Sequence, residues 1–301
     1  MTLSQALPSA PGLVAETHES SRQDRLASRR KAFRALHERG CFVIPNPWNV
    51  GTARYLQHLG FPALATTSAG FAFSQGLPDS GDEAVISRDR SLAYIAEIAA
   101  SVDVPVSADF MSGYGLEPED VAESVTRCVA TGVAGLSIED ATGDPTAPLY
   151  DLSIAVERVR AARMAIDRSG ADVLLTARAE CYHVGHPNPL RESVLRLQAY
   201  ADAGADVLFA PGPQTGSEIE ALVAAVAPKP LNLLVVRDIG LRVQGIAELG
   251  VRRISLGGAL ALAAWTGFIR AAQILREGSF AALANLVPYT QMNELFTNEL
   301  A

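Results

Sequence analysis

Val173-Leu174-Leu175-Thr176-Ala177-Arg178-Ala179-Glu180 is an apolar run that ends in an arginine and a glutamate. Two earlier runs end in the same way, in Ser107-Ala108-Asp109 and in Ser137-Ile138-Glu139-Asp140. Short runs that are apolar throughout, rather than at every second position, read as strands covered on both faces, as in a parallel sheet. Eight are expected, over 41–45, 63–68, 104–109, 135–139, 173–178, 207–210, 230–235 and 253–256. Helical patterns alternate with them, among them 118–131, 152–169, 190–203, 216–227 and 239–249. Leu59-Gly60-Phe61, Thr131-Gly132-Val133, Ala203-Gly204-Ala205 and Leu249-Gly250-Val251 punctuate the chain just before strands, as glycine caps do at helix ends. Eight such units joined by right-handed crossovers close most simply as a (β/α)8 TIM barrel, and the carboxyl ends of its strands then carry the chemistry.

The 301 residues suffice for one such barrel, and a composition of 49% hydrophobic and 19% charged residues can bury a large core. A net charge of -8, with no basic block outside 22–39, argues against a nucleic-acid or anionic-membrane partner. That basic stretch reads as the solvated face of a helix. Cys41, Cys128 and Cys181 are odd in number and lack metal-site spacing, which fits a reducing compartment without disulfides. Residues 1–21 have neither the basic nor the apolar region of a signal peptide and are expected to form a flexible tail ahead of a single domain over 22–301. No apolar run approaches the roughly 20 residues that cross a bilayer, so a cytoplasmic protein is expected. Helical segments over 259–277, 280–285 and 291–300 exceed what one barrel layer needs, and an oligomer contact is a use for them.

Asp109 and Glu139 end the third and fourth strands, so their carboxylates should converge at the barrel mouth. Two convergent oxygen ligands suit Mg²⁺, although the same positions also suit helix caps or pairing with cations. Arg178, closing the fifth strand beside Glu180, is placed either to grip a substrate carboxylate in a fork or to pair with Glu139 or Glu180. Gly113-Tyr114-Gly115 suits a loop that moves or approaches a ligand closely. His183 and His186 lack the further ligands of a zinc site. No P-loop, dinucleotide fingerprint, nucleophile elbow or HExxH pattern is present.

With Pro45-Asn46-Pro47-Trp48-Asn49-Val50, Gly76-Leu77-Pro78-Asp79 and Gly204-Ala205-Asp206 added to these strand ends, the chain over about 33–286 resembles the isocitrate lyase/phosphoenolpyruvate mutase superfamily. The resemblance implies a helix-swapped barrel, a homodimer or homotetramer in which terminal helices pack on a neighbour. It implies Mg²⁺ and a small α-keto or 2-hydroxy carboxylate, whose C–C or P–C bond is made or broken through a metal-held enolate. By position, Asp109 matches the direct metal ligand, Glu139 a water-mediated ligand and Asp79 an aspartate at the edge of the site. Arg178 matches the arginine that grips substrate, and Thr67, Ser68 and Ala69 match a carboxylate-holding loop. Asn232 faces the same pocket, and Glu180 joins Asp79 in tuning or orienting the reacting groups.

Two departures matter. Relatives carry a second acid two residues beyond the metal aspartate, where this chain has Met111, a poor ligand for a hard cation. The Lys-x-Cys-Gly-His loop of the isocitrate and methylisocitrate lyases is replaced by Thr142-Gly143-Asp144-Pro145-Thr146-Ala147-Pro148, and neither Cys128 nor Cys181 belongs to such a motif. The expectation is a C–C lyase or decarboxylase other than isocitrate lyase. A P–C mutase or hydrolase and a recruited metal-independent or non-catalytic ligand-binding barrel are the alternatives.

Overall fold

A computed structural model describes residues 11–79 and 85–298. All eight expected strands form: β1 (Phe42–Ile44), β2 (Leu64–Ala65), β3 (Val106–Asp109), β4 (Gly135–Glu139), β5 (Leu174–Arg178), β6 (Val207–Phe209), β7 (Leu231–Leu234) and β8 (Arg253–Ser255). They are parallel throughout, in the order β1-β8-β7-β6-β5-β4-β3-β2. The Ala65 amide donates to the Pro45 carbonyl at 3.1 Å and draws the two outer strands together. The result is a nearly closed (β/α)8 barrel.

The helices are α1 (Pro11–Glu38), α2 (Val50–His58), α3 (Ser68–Ser74), α4 (Arg88–Ser101), α5 (Pro118–Ala130), α6 (Leu152–Arg168), α7 (Pro189–Asp202), α8 (Gly216–Val226), α9 (Val243–Glu248), α10 (Ala259–Arg276) and α11 (Tyr289–Asn298). Among the described residues no helix is long and apolar enough to cross a membrane. α1 begins inside the stretch read as a tail, of which residues 1–10 lie outside the described residues. α9 starts later than its pattern, because the Gly240 amide bonds the Asp238 carboxylate at 2.8 Å in a turn ahead of it. The segment expected at 280–285 is a 3-10 turn, Ala281–Leu283.

The reading of 22–39 as a solvated face holds for Arg22, Arg25, Lys31 and Arg39, which are exposed, but not for Arg29, Arg30 and Arg34. α1 closes the amino-terminal end of the barrel, and its arginines tie it there: Arg30 donates to the carbonyls of Val133 and Val129, and Arg34 to the carboxylates of Asp172 and Asp206. Phe33 is fully buried in a cluster with Phe42, Ile44, Ala63, Ala134 and Leu174. Gly135 makes this fit possible, since a Cβ there would lie 2.6 Å from the Phe33 ring. The larger apolar cluster lies between the outer faces of the strands and α2 and α4 to α8.

The barrel interior is less apolar. Ser107, Thr176, Asn232 and Ser255 are buried on the strands, and Ser107, Asn232 and Ser255 line a cavity that opens at the carboxyl-terminal end.

Candidate active site

Two cavities, of about 390 and 420 Å³, meet at Ser68, Asp79, Arg178, Glu180 and His183. The nine residues singled out from sequence each line one or both: Thr67, Ala69, Asp109 and Asn232 the first, Glu139 the second, and Ser68, Asp79, Arg178 and Glu180 both.

Arg178 is the hub. β4 and β5 pair Glu139 with Arg178 in register, and β3 delivers Asp109 one strand further on. The Arg178 Nη1 donates to Asp109 Oδ1 and Glu139 Oε2, both at 2.9 Å, and Nε donates to Glu180 Oε1 at 2.8 Å. The guanidinium also lies over the Phe209 ring, 5.2 Å from its centre. Burial alone would lower the Arg178 pKa, but Glu139, Glu180 and Asp109 together outweigh it and hold the cation charged well beyond its ordinary value. The pairing reading holds for Asp109, Glu139 and Arg178 alike: the carboxylates pair with a cation, and that cation is Arg178.

Three carboxylates around one guanidinium leave excess negative charge. Burial raises Glu139 to about 8, with Arg178 opposing and Glu180 and Asp109 reinforcing. Glu180 is raised too, first by burial, with Arg178 opposing and Asp140 reinforcing. Asp79 follows the same direction through burial and the charge of Asp109. A coupled cluster of this kind retains a proton nearer neutrality than separate carboxylates would.

Other neighbours fix this group in place. Asp109 Oδ2 accepts from both the amide and the hydroxyl of Ser68, each at 2.9 Å, and the Asp109 amide donates to Thr66 Oγ1. The Thr67 hydroxyl caps α3 by accepting from the Gly70 amide at 3.2 Å. Asp140 lies behind the site, where its carboxylate accepts from the Glu180 amide, Arg196 and the Tyr200 hydroxyl. Its role is to position the strand end that carries Glu180.

Gly113-Tyr114-Gly115 does not line either cavity. Arg158, fully buried, donates to the carbonyls of Ser112, Gly115 and Leu116, so this loop is pinned to α6. The Tyr114 hydroxyl donates to Met111 Sδ at 3.1 Å, and Met111 lines the second cavity beside Glu139 and Asp79. The loop after β4 is closed by Thr142 Oγ1 on the Ala147 carbonyl and by Asp144 accepting from Thr146. Burial pushes the Cys128 thiol up strongly and that of Cys181 to about 11, so neither is poised as an acid or base near neutrality.

Among the described residues no group of three or more His, Cys, Asp and Glu is arranged to hold a metal. The donor set nonetheless suits Mg²⁺, which takes one or two carboxylates and completes its shell with water. Asp109 and Glu139 already converge on one cationic atom, Arg178 Nη1. Met111, where the resemblance expects a second acid, brings a thioether rather than a hard oxygen to the second cavity.

Among the titratable residues that line the first cavity, Arg253 and His183 were not among the candidates. Arg253 stands at the start of β8, and its spacing of two from Ser255 is the signal that both face inward. His183 was weighed only as a metal partner of His186, whereas it stands at the junction of both cavities.

Comparison with known proteins agrees with this geometry. A crystal structure from Burkholderia cenocepacia J2315, provisionally described as a lyase/mutase, superposes with a TM-score of 0.86 at 46% identity, covering 91% of this chain and 97% of its own. That of 2,3-dimethylmalate lyase does so with a TM-score of 0.79 at 28% identity, covering 92% and 95%. The 2-methylisocitrate lyase of Escherichia coli K12 is 32% identical over 192 residues, 61% of this chain and 62% of the enzyme. Residues 33–276, which hold all eight strands and every residue of the Arg178 cluster, match the family described as phosphoenolpyruvate phosphomutase, and the chain belongs to that family, within the isocitrate lyase/phosphoenolpyruvate mutase superfamily.

Proposed function

We propose that the protein is a C–C lyase or decarboxylase of a small α-keto or 2-hydroxy carboxylate, working through an enolate. The observation that carries this reading is the Arg178 guanidinium held by Asp109, Glu139 and Glu180 where the two cavities meet. The carboxylates hold it through Nη1 and Nε, and a planar fork of this kind matches a substrate carboxylate. The names of the relatives above, two of them lyases, favour the same class.

Ser68 and Ala69, at the first turn of α3, flank the space in front of Arg178 and fix where a bound carboxylate can lie. Thr67 supports them from behind through the cap, and Asn232 holds the deeper wall. Glu180 is the group assigned to hold or return the proton, because it is a buried carboxyl raised by its surroundings and lines both cavities. Asp79, which also lines both cavities, tunes the charge. Asp109 and Glu139 are the residues that would hold Mg²⁺, which when bound supplies stabilisation of developing enolate charge. In a 2-hydroxy acid the hydroxyl gives up its proton as the C–C bond breaks, that fragment leaves as a carbonyl compound, and the bond's electron pair stays in the enolate of the other. In an α-keto acid losing its distal carboxylate the departing fragment is CO2. In either case a proton delivered to the enolate carbon completes the product. A homodimer or homotetramer joined through the C-terminal helices completes the proposal.

The test is turnover of oxaloacetate, alkylmalates and phosphonopyruvate with and without Mg²⁺, beside Asp109→Ala. Metal-dependent cleavage of a carbon substrate, reduced at least about a hundredfold in the variant, is the expected result. Turnover of phosphonopyruvate alone would move the assignment to P–C chemistry. No turnover of any of them would leave a ligand-binding or recruited barrel.

A further inference from the structure

The lining of the first cavity is divided by charge. Asp109 and Arg178, at the ends of β3 and β5, with Glu180 and Asp79, make its charged part. The wall raised by β6 and β7, directly beside β5, is apolar. Phe209 and Pro211 line it from β6 and the residues after it, and Leu234 and Val236 from β7 and beyond. Each pair is two residues apart, as side chains on one face of a strand must be. Burial falls along this row from Asn232, 1% exposed, through the partly buried Leu234 to Val236, 50% exposed, so the row climbs from the floor to the open end. A Cβ on Gly257, just past β8, would lie 3.1 Å from Leu234 Cδ1 and 3.8 Å from Val236 Cγ1, so both side chains rest on one turn and form a continuous surface. Phe209 joins that surface to the carboxylate grip, since β5 and β6 pair it in register with Arg178, whose guanidinium lies over its ring.

The core does not use this wall. Leu233 and Val235, the alternate residues of the row, pack on the outer face with Ile219, Ile246, Val251 and Ile254, whereas Leu234 and Val236 belong to no apolar cluster among the described residues. Nor does the wall suit a charged group. Arg237, the next cation along the chain, does not line the cavity and donates to Gln214 Oε1 at 2.5 Å. An anionic end set against Leu234 and Val236 would lose water without gaining a partner. An uncharged chain would instead remove their apolar surface from water. The cavity, of about 390 Å³, falls within the roughly 300–1,000 Å³ of pockets that hold drug-sized ligands, so a carboxylate at Arg178 leaves room beyond it.

We propose that Phe209, Pro211, Leu234 and Val236 bind an uncharged alkyl substituent, longer than a methyl group, of the carboxylate substrate that Arg178 grips. This inference rests on the reading of Arg178 given above and narrows its substrate class to acids that carry an apolar chain. It separates the tasks of the strands: the ends of β3 to β5 carry the charges, and β6 and β7 select the chain.

The test is equilibrium binding to the full-length protein at fixed Mg²⁺, by calorimetry, of the unbranched 2-oxo acids pyruvate, 2-oxobutyrate, 2-oxovalerate and 2-oxohexanoate. None of them has a distal carboxylate to lose. Affinity is expected to rise by up to about fourfold per added methylene, and by at least about tenfold from pyruvate to 2-oxohexanoate. Val236→Ser, at an exposed position where folding is spared, is expected to cut that ratio at least about threefold. Leu234→Asn, which nearly keeps the volume but not the apolarity, is expected to cut it as well. Val243→Ser, on an exposed apolar residue that lines neither cavity, is expected to leave the ratio unchanged. Affinity that is level or falls along the series, with pyruvate bound, overturns this inference and leaves the reading of Arg178 in place. A rise undiminished in either lining variant overturns it by placing the chain elsewhere, and a rise lowered equally by Val243→Ser overturns it as unspecific adsorption. Binding of none of the four acids overturns both readings.

Discussion

Glu139 links stability to pH in a direction opposite to most surface carboxylates. Its ordinary value of 4.5 is raised to about 8 in the fold, chiefly by burial. Between those values the folded protein keeps a proton that the unfolded chain has released. The contribution of this group is therefore complete at low pH and is lost as pH rises through about 8. Glu139→Gln cannot ionise and is spared that loss. The melting temperature of the wild type is expected to fall relative to that of Glu139→Gln by of order 5 °C between pH 5 and 8.5, read by calorimetry at fixed ionic strength. A constant difference would show that Glu139 stays ionised against Arg178 throughout. Met111 poses a separate question. Its φ of 48° is one that Asp and Asn adopt more readily than Met, and it lines the second cavity with Asp79 and Glu139. Met111→Asp therefore adds a hard oxygen ligand with less backbone strain than the methionine carries. Mn²⁺ affinity measured by electron paramagnetic resonance is expected to tighten at least about tenfold, and Asp109→Ala in the same background to reverse the gain. Unchanged affinity would place position 111 outside the metal's reach.

At the scale of elements, β4 against α1 shows how closely the barrel is fitted. A Cβ on Gly135 would lie 2.6 Å from Phe33 Cε1 and 3.1 Å from Ser107 Oγ. Gly135→Ala is expected to destabilise by about 1–3 kcal/mol in urea unfolding. Phe33→Leu is expected to absorb part of that cost, so that the double variant is more stable than the sum of the singles. Additive losses would mean that the strand moves rather than the ring. The same pair shows what sequence could and could not reveal. Strands were legible because a buried parallel strand writes its state in its own residues, and the strand ends at Asp109, Glu139 and Arg178 came with them. The sealing role of α1 was not legible, because Arg30 and Arg34 look like solvated charges until the carbonyls of Val133 and Val129 and the carboxylates of Asp172 and Asp206 are brought to them from far along the chain. Arg253 escaped for the same reason: its partners, Asn232 and Thr176, lie on other strands.

For the whole molecule, the unresolved balance lies in α10 and the segment beyond it. Leu262, Trp265, Phe268 and Ile269 on α10 are exposed, as are Phe280, Leu283, Leu286 and Val287 after it. Trp265 and Phe268 meet edge to face, 5.4 Å apart, and line a shallow apolar pocket with Trp48 and Ala261. α10 packs against α3 and the 3-10 turn, and α11 against α2, which leaves this apolar face on the outside. Large apolar patches on a soluble protein mark surfaces that another protein covers, and the proposed homo-oligomer supplies a second copy to cover it. Light scattering on the purified chain is therefore expected to give the mass of a dimer or tetramer. Phe268→Asp, 62% exposed in the single chain, is expected to shift it toward monomer and to lower the melting temperature. Because α3 carries Ser68 and Ala69 and packs against α10, the monomeric variant is also expected to lose substrate affinity. A monomeric wild type would detach the α10 face from assembly, and an oligomer unchanged by Phe268→Asp would place the contact elsewhere.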